Sequence, residues 1–419
     1  MAEPASPIEQ NRDEQLGMPD RPLALLARRD FRHAYAAIAV SELGDAFQYI
    51  ALMWFALDAG GPLGVIAVRL ADSVPALLFG LHGGVVADRW DRRRTMIAAD
   101  LIRAAVLVPI AVAGLAGHLP LGALVAAAFV LTAATSYFDP AYGALVPALV
   151  ERRNVQPANG LVRATAESMR LGGWGVAAAL LAFMPISAFF ALNAASFVLS
   201  ALLLAGIRRT GARPAHADPP RFREGIEALR PLPALAAAVA VLGVAVTISS
   251  GTWIVGVPQL IHTDLGRGAG AFALVVTGYS AGAILSGVVL ARRPVRRKAL
   301  GSMLAWLVYM PAYALFAVAG SLGLAVLGGA AAGIGQGAAL VLVNSAAQES
   351  VPDGVLGRVS GLIALVHRGA HATGLLFVAP FFAVASAPSV FAAAALAIPL
   401  AGVVGAAVAL VKTARPQLA

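Results

Sequence analysis

The sequence predicts an all-α polytopic membrane protein, with twelve transmembrane helices in two six-helix halves. Three observations predict it. Of 419 residues, 59% are apolar and only 13% are charged, against about 25% charged in an ordinary soluble domain. No soluble fold has interior enough to hide that much apolar surface, so part of the solvent is lipid. The apolar residues gather into twelve stretches near the length of about 20 residues that a spanning helix needs. Basic residues alternate with those stretches: with the N-terminus inside, 25 of the 31 Lys and Arg fall on inside segments. Five more (Arg69, Arg103, Arg163, Arg170, Arg368) lie within or beside spans, and Arg267 alone lies outside. That bias orients both termini toward the cytoplasm.

In chain order, residues 1–30 form a cytoplasmic tail. Met1 to Arg29 is polar with mixed charge, has no apolar core or cleavage site, and reads as disordered rather than as a signal peptide. The first half, 31–207, holds the spans Phe31–Leu57, Pro62–Val86, Thr95–Ala116, Leu121–Phe138, Thr165–Met184 and Ser187–Ile207. The run from Leu171 to Ile207 is too long for one span, and Pro185 supplies its turn. Residues 208–232, rich in Pro and Arg, link the halves, and Phe222 to Leu229 is suited to a short interfacial helix. The second half, 233–411, holds Pro233–Val257, Gly270–Leu290, Ala299–Ala319, Leu322–Val343, Val355–Val378 and Ser389–Val411, before a tail at 412–419.

The halves echo each other. Gly84-Val85-Val86 followed by Arg89, Arg93 and Arg94 reappears 203 residues later as Gly287-Val288-Val289 followed by Arg292, Arg296 and Arg297. Equivalent loops in two six-span halves are what a transporter built from repeats shows.

The net charge of +9 serves membrane orientation, and a nucleic-acid partner is not expected. The chain has no cysteine, which excludes disulfides, thiolate metal sites and a cysteine nucleophile. No phosphate-binding loop is present, which excludes an ATP-driven pump. No nucleophile–base constellation emerges, so no enzyme, cofactor or metal is expected. His367 and His371 are spaced to grip a metal, but lack a third ligand in sequence.

Ionisable residues inside spans are costly there and are candidates for function. Asp45 lies near the middle of the first span and Asp72 at similar depth in the second, with Arg69 one turn from Asp72. An acid between desolvation and a nearby cation can take a proton from one side and lose it to the other. Asp45 is the expected proton carrier and Glu42 its reserve; the alternative is a static pair of Arg69 with Asp45 or Asp72. Arg163, Glu167 and Arg170 share one helical face, as an ion-pair ladder or a gate contact. His367, Arg368 and His371 form a polar patch suited to substrate or to pH sensing. The glycines from Gly328 to Gly337 favour close helix approach or bending.

Twelve spans, two halves and Gly84-x-x-Ala87-Asp88-Arg89-x-x-Arg92-Arg93 between spans two and three resemble the major facilitator superfamily. Ser41–Asp45, Ala98–Arg103, Phe138–Ala141, Leu145–Pro147, Ala158–Leu161 and Gln348–Pro352 leading to Gly357-Arg358-Val359 resemble its macrolide-efflux and enterobactin-exporter branch. The resemblance implies a plasma-membrane exporter of a small hydrophobic or amphipathic molecule, such as an antibiotic or siderophore, driven by proton antiport. An importer or facilitator of the same fold and a non-transporting sensor are the alternatives. The resemblance makes Gly84, Asp88, Arg89, Arg93 and Arg94 a conformational latch, with Asp100, Asp139 and Arg358 as partners. It places the cavity on spans one, four, seven and ten, with Gln48, Tyr49, Ser136, Ser250, Trp253, Gln336 and Asn344 facing it. The run Gly172-Gly173-Trp174-Gly175 lacks the proline that antiporters of this family often carry there.

Overall fold

A computed structural model describes residues 22–151, 154–208, 222–293 and 295–414, with a few side chains within that range excepted. A 3-10 turn, Pro22–Ala27, leads into α1 (Arg29–Arg89), which reverses at Gly61. Then come α2 (Arg92–Leu115), α3 (Leu121–Ala148), α4 (Val155–Leu180), α5 (Ala188–Ala205) and the short α6 (Phe222–Leu229). α7 (Pro233–Gly251) continues through π-helical turns at Thr252–Gly256 and Leu260–Asp264. α8 (Ala269–Arg292) follows, then α9 (Lys298–Ala305) and α10 (Tyr309–Ala317), joined by a single 3-10 turn. The chain ends in α11 (Leu322–Ser350), α12 (Asp353–Phe377), α13 (Phe381–Val384) and α14 (Ala387–Ala414).

The local chemistry explains the boundaries. Gly61 takes φ 57° and ψ −151°, a conformation that costs a residue with a Cβ, and there α1 turns back on itself. Asp91 caps α2 by accepting from the Arg94 N–H at 2.8 Å, and Gly117 ends the following turn with φ 72°. Ser321 caps α11, and Pro233 opens α7 where a missing N–H costs nothing. Pro258 stands between the two π-helical turns of α7; its ring and absent N–H disrupt the ordinary ladder, and wider turns accommodate it.

Ten helices among the described residues are long and apolar enough to cross a membrane. The difference from twelve has two sources. Arg29–Gly80 is one assigned stretch holding the first span and most of the second, and α4 carries Arg163, Glu167 and Arg170. α4 also begins ten residues before the predicted Thr165. α3 runs ten residues past Phe138, through Pro140 and Pro147. Pro140 releases the Ser136 carbonyl from the helix ladder, and that carbonyl meets Gly83, whose lack of a side chain leaves it room. Phe222–Leu229 forms the short helix expected of it. Leu25 of the 3-10 turn is buried in one cluster with Phe31, Met96, Phe138 and Leu204. Residues 1–21, most of the linker at 209–221, and 415–419 lie outside the described residues.

The chain divides into two compact units. Of the described residues, the first comprises 22–51, 71–151, 154–173 and 185–208; the second comprises 52–70, 174–184, 222–293 and 295–414. In the first, α2 packs on α3 and α5, and the second arm of α1 lies along α3. In the second, α8 packs on α11 and α7 on α12 and α14. Its core is a run of rings: Trp306, Tyr309, Tyr313, Phe316 and Phe391, with successive centroids 4.9–5.8 Å apart. Residues 52–70 join this unit through Trp54, whose ring meets His262 edge-on at 5.1 Å, and Asp58, 3.8 Å from the same imidazole.

The repeat is visible in helix contacts inside each unit. Phe79 of α1 meets Phe129 of α3, and Gly83 meets Ser136. The corresponding contacts of α8 and α11, 203 residues on from α1 and 201 residues on from α3, are Gly282 with Ala330 and Ser286 with Gly337, and both pairs touch. The register is shared, but the α1–α3 contact is padded by two aromatic rings, whereas α8 and α11 meet backbone to backbone. Gly329, Gly333 and Gly337 face Val275, Tyr279 and Ala283, so the glycine run serves close approach.

Gly333→Ala therefore drives a methyl into the Tyr279 carbonyl and should lower stability by about 1–3 kcal/mol. Gly287→Ala, with nothing within 4 Å, should be neutral or stabilising by up to about 1 kcal/mol. Thermal unfolding of the two purified variants in detergent checks the contrast.

Candidate functional site

The strongest polar constellation inside a span lies in the first unit, around Asp45. Gly44, in the same turn, is the reason it assembles. A methyl at Gly44 would overlap Asn193 Oδ1 and Ser196 Oγ of α5, so only glycine lets the two helices close to this distance. Asn193 is fully buried and donates from Nδ2 to Asp45 Oδ1 at 3.0 Å and to Gln48 Oε1 at 2.6 Å. Ser196 Oγ donates to Asn193 Oδ1 at 2.7 Å and fixes which way the amide points. Asp45 itself is half-buried and forms no ion pair within 4 Å among the described residues. Gln48, expected in a cavity, is thereby joined to Asp45 through one amide.

Asp72 accepts a hydrogen bond from Thr132 of α3. It belongs with Asp45 to the first unit, while Arg69 belongs to the second, where its field reaches His371. Glu42, one turn before Asp45, is half-buried.

Two charged side chains are buried more deeply than any of these. Asp100 is 0% and Arg103 3% exposed, and they pair along α2 at 2.6 Å. The guanidinium carbon lies 4.4 Å from the ring centroids of both Phe138 and Phe197. Asp100, expected among the latch acids, thus has Arg103 as its partner.

At the basic end, Arg93 donates to the Ile207 carbonyl at 2.5 Å and to that of Ala205, satisfying the open C-terminus of α5. Arg92 is buried and donates to the Ala144 carbonyl at 3.1 Å. Arg94 and Arg89 are exposed, as are Asp139 on α3 and Arg358 on α12. The surroundings of Gly84 and the Asp88 side chain lie outside what the structure describes. On α4, Arg170 bonds Glu167, one rung of the expected ladder.

In the second unit, Trp253 lies 4.7 Å from Tyr279 and 6.0 Å from Phe316, ring to ring. Tyr309 donates to Gln336 Oε1 at 2.9 Å. Ser250 is buried beside Gly374 of α12, and Ser136, in the first unit, is buried and donates to the Thr132 carbonyl. Asn344 is exposed and donates to Leu340, four residues back. The His367 and His371 rings stand edge to face at 4.8 Å, while Arg368 is exposed. Tyr49 is half-buried.

Sequence reasoning overlooked Asn193 and the Asp100–Arg103 pair as interior features. The signal for Asn193 was a lone amide in the apolar stretch Ala188–Ala205. For the pair it was the i,i+3 spacing of opposite charges within a span.

Two helical units, ten helices of spanning length among the described residues, and acids held within those spans define a multi-pass membrane transporter. The chain belongs to the transmembrane secretion effector family of the major facilitator superfamily, whose sequence model matches residues 20–418. It is 24% identical over 283 residues to an uncharacterized MFS-type transporter, YvqJ, of Bacillus subtilis (strain 168), covering 65% of this chain and 67% of that protein. It is 27% identical over 197 residues to macrolide efflux protein A of Streptococcus pyogenes, covering 46% and 49%. The chain thus spans about half the length of that macrolide-efflux relative. The fold matches the crystal structure of the POT family transporter PepTSo with a TM-score of 0.70, at 14% identity, over 93% of this chain and 99% of that one.

Gly44→Ala should lower stability by about 1–3 kcal/mol through overlap with Asn193 and Ser196. Asn193→Ala should instead lose about 1–3 kcal/mol by removing the amide's hydrogen bonds to its half-buried partners Asp45 and Gln48. In the double variant the penalties should be sub-additive, because the smaller residue at 193 makes room for the methyl, and detergent melting curves of the four proteins measure that coupling.

Proposed function

We propose that this protein is a proton-coupled exporter that moves a hydrophobic or amphipathic small molecule by alternating access, with Asp45 as the proton carrier. The observation that carries the reading is the bonding of Asp45. Its hydrogen bond comes from the neutral Asn193 amide, and no cation within 4 Å neutralises it among the described residues. A carboxyl so placed binds and releases a proton without breaking a salt bridge first. Proton entry down 100 mV supplies about 2.3 kcal/mol per charge, enough for roughly fiftyfold accumulation.

Kinship with macrolide efflux protein A supports a bulky, largely apolar substrate. The Trp253–Tyr279 pair of the second unit offers such a molecule an aromatic wall. The bias of basic residues supports cytoplasmic termini in the plasma membrane. Asp88 with Arg89, Arg94, Asp139 and Arg358 is assigned to a latch at the cytoplasmic face, while Arg92 and Arg93 anchor helix ends there.

Everted membrane vesicles carrying an acid interior test the proposal. Adding the macrolide erythromycin should discharge the proton gradient with the wild type, while correctly inserted Asp45→Asn should leave it intact. Discharge by both proteins contradicts the role of Asp45. Substrate accumulation in whole cells, with no discharge in vesicles, contradicts export.

A further inference from the structure

The Asp100–Arg103 pair does more than the fold requires of it. A guanidinium in a span is costly, and an ion pair buried this deeply is rarely better for stability than apolar residues of the same size. Here the structure goes further and immobilises the cation. Asp100 Oδ1 holds one end at 2.6 Å, and Phe138 of α3 and Phe197 of α5 close over the guanidinium from 4.4 Å each. Three helices therefore fix one positive charge, and aromatic faces attract a cation without neutralising it.

The position of that charge is informative. Phe197 and Asn193 are four residues apart on α5, so they share a helical face. The face that presses on Arg103 is the face that reaches Asp45 with its amide. Ser200, fully buried one turn beyond Ser196, stands beside Asp100, and Arg103 Nε has no hydrogen-bond partner among the described residues.

We propose that Arg103, immobilised by Asp100, Phe138 and Phe197, is a positioning residue whose fixed positive charge sets the pH at which Asp45 binds its proton. The proposal rests on the reading of Asp45 as proton carrier. Arg103 reaches Asp45 through one face of α5: its guanidinium lies on the Phe197 ring, and Asn193, one turn away, bonds Asp45. The other groups that face Asp45 are Asn193 of α5, Asp100 of α2, Asp139 of α3, and Asp72 and Glu42 of α1. Four of these are acids, which oppose Arg103.

The proposal makes opposite predictions for two partners of one ion pair. Removing the cation, as Arg103→Gln, should move the proton-binding midpoint of Asp45 to higher pH. Removing only the anion, as Asp100→Asn, leaves the cation less compensated and should move that midpoint to lower pH. Arg103→Lys, which keeps the charge, should lie nearer the wild type than Arg103→Gln does. Loss of packing alone predicts no such change of sign.

The test needs no transported substrate. The carboxylic-acid carbonyl stretch of the protein in proteoliposomes is followed by infrared spectroscopy over about pH 4–10. The contribution of Asp45 is the band absent from Asp45→Asn. Shifts of at least about half a pH unit in opposite directions are expected for the two variants. Shifts in the same direction, or none, overturn the role of Arg103 while leaving Asp45 as carrier. If Asp45→Asn removes no titrating band, the reading of Asp45 itself fails. Circular dichroism and melting curves confirm that each variant compared is folded, and should Arg103→Gln fail to fold, Asp100→Asn and Arg103→Lys still decide the sign.

Discussion

The contact on which the first unit turns is the approach of α5 to α1 at Gly44. Because that residue has no side chain, a buried amide reaches a carboxylate in the middle of a span at 3.0 Å. In a hydrocarbon surrounding neither group can be left without a partner, since an unsatisfied polar group there costs several kcal/mol. The pair consequently constrains everything near it. Ser196 orients the amide, Gln48 takes its other hydrogen, and the next turn of α5 presents Phe197 to Arg103. One small residue thus brings the interior acid and the interior cation under the influence of the same helix.

The second unit is built on the opposite economy of space. Its core is a run of aromatic rings, from Trp306 to Phe391, and the Tyr313 hydroxyl is satisfied locally: it donates to the Ser249 carbonyl and accepts from Thr252. Close packing of α8 on α11 leaves the volume for those rings elsewhere in the unit. The shared contact register of α1 with α3 and of α8 with α11 shows one repeat adapted in two ways, to hold ionisable groups in one case and aromatic ones in the other. Such a division of labour suits a transporter that couples ion binding to the passage of an apolar molecule.

Much of this was legible from the sequence, for physical reasons that differ from element to element. Most spans declare themselves because lipid demands a long apolar run, and the glycine run of α11 announces its close contact because no other residue type permits it. α4 starts earlier than its hydropathy indicates, since a helix whose charges lie on one face hides its polar first turns from any average. α3 outruns Phe138 because Pro140, ordinarily a stop, has its freed carbonyl met by Gly83. Leu25 belongs to the fold because the short apolar run Pro22–Ala27, set between charged residues, is long enough to dock one turn. At the site, Asp45 and Asp72 stand out because acids are rare in spans. Their partners do not, because Asn193 and Thr132 lie on helices that only the tertiary fold brings to them.

The role proposed for Asp45 is to exchange its proton against substrate, and the most direct measurement is of that exchange in the purified protein. Weakly buffered detergent solution, with a pH indicator, receives a saturating macrolide near the midpoint of Asp45 titration. Release of up to about one proton per bound substrate by the wild type, and of none by Asp45→Asn, is the predicted result. Equal proton release by the two proteins, or substrate binding by the wild type with no proton released at any pH, would contradict it.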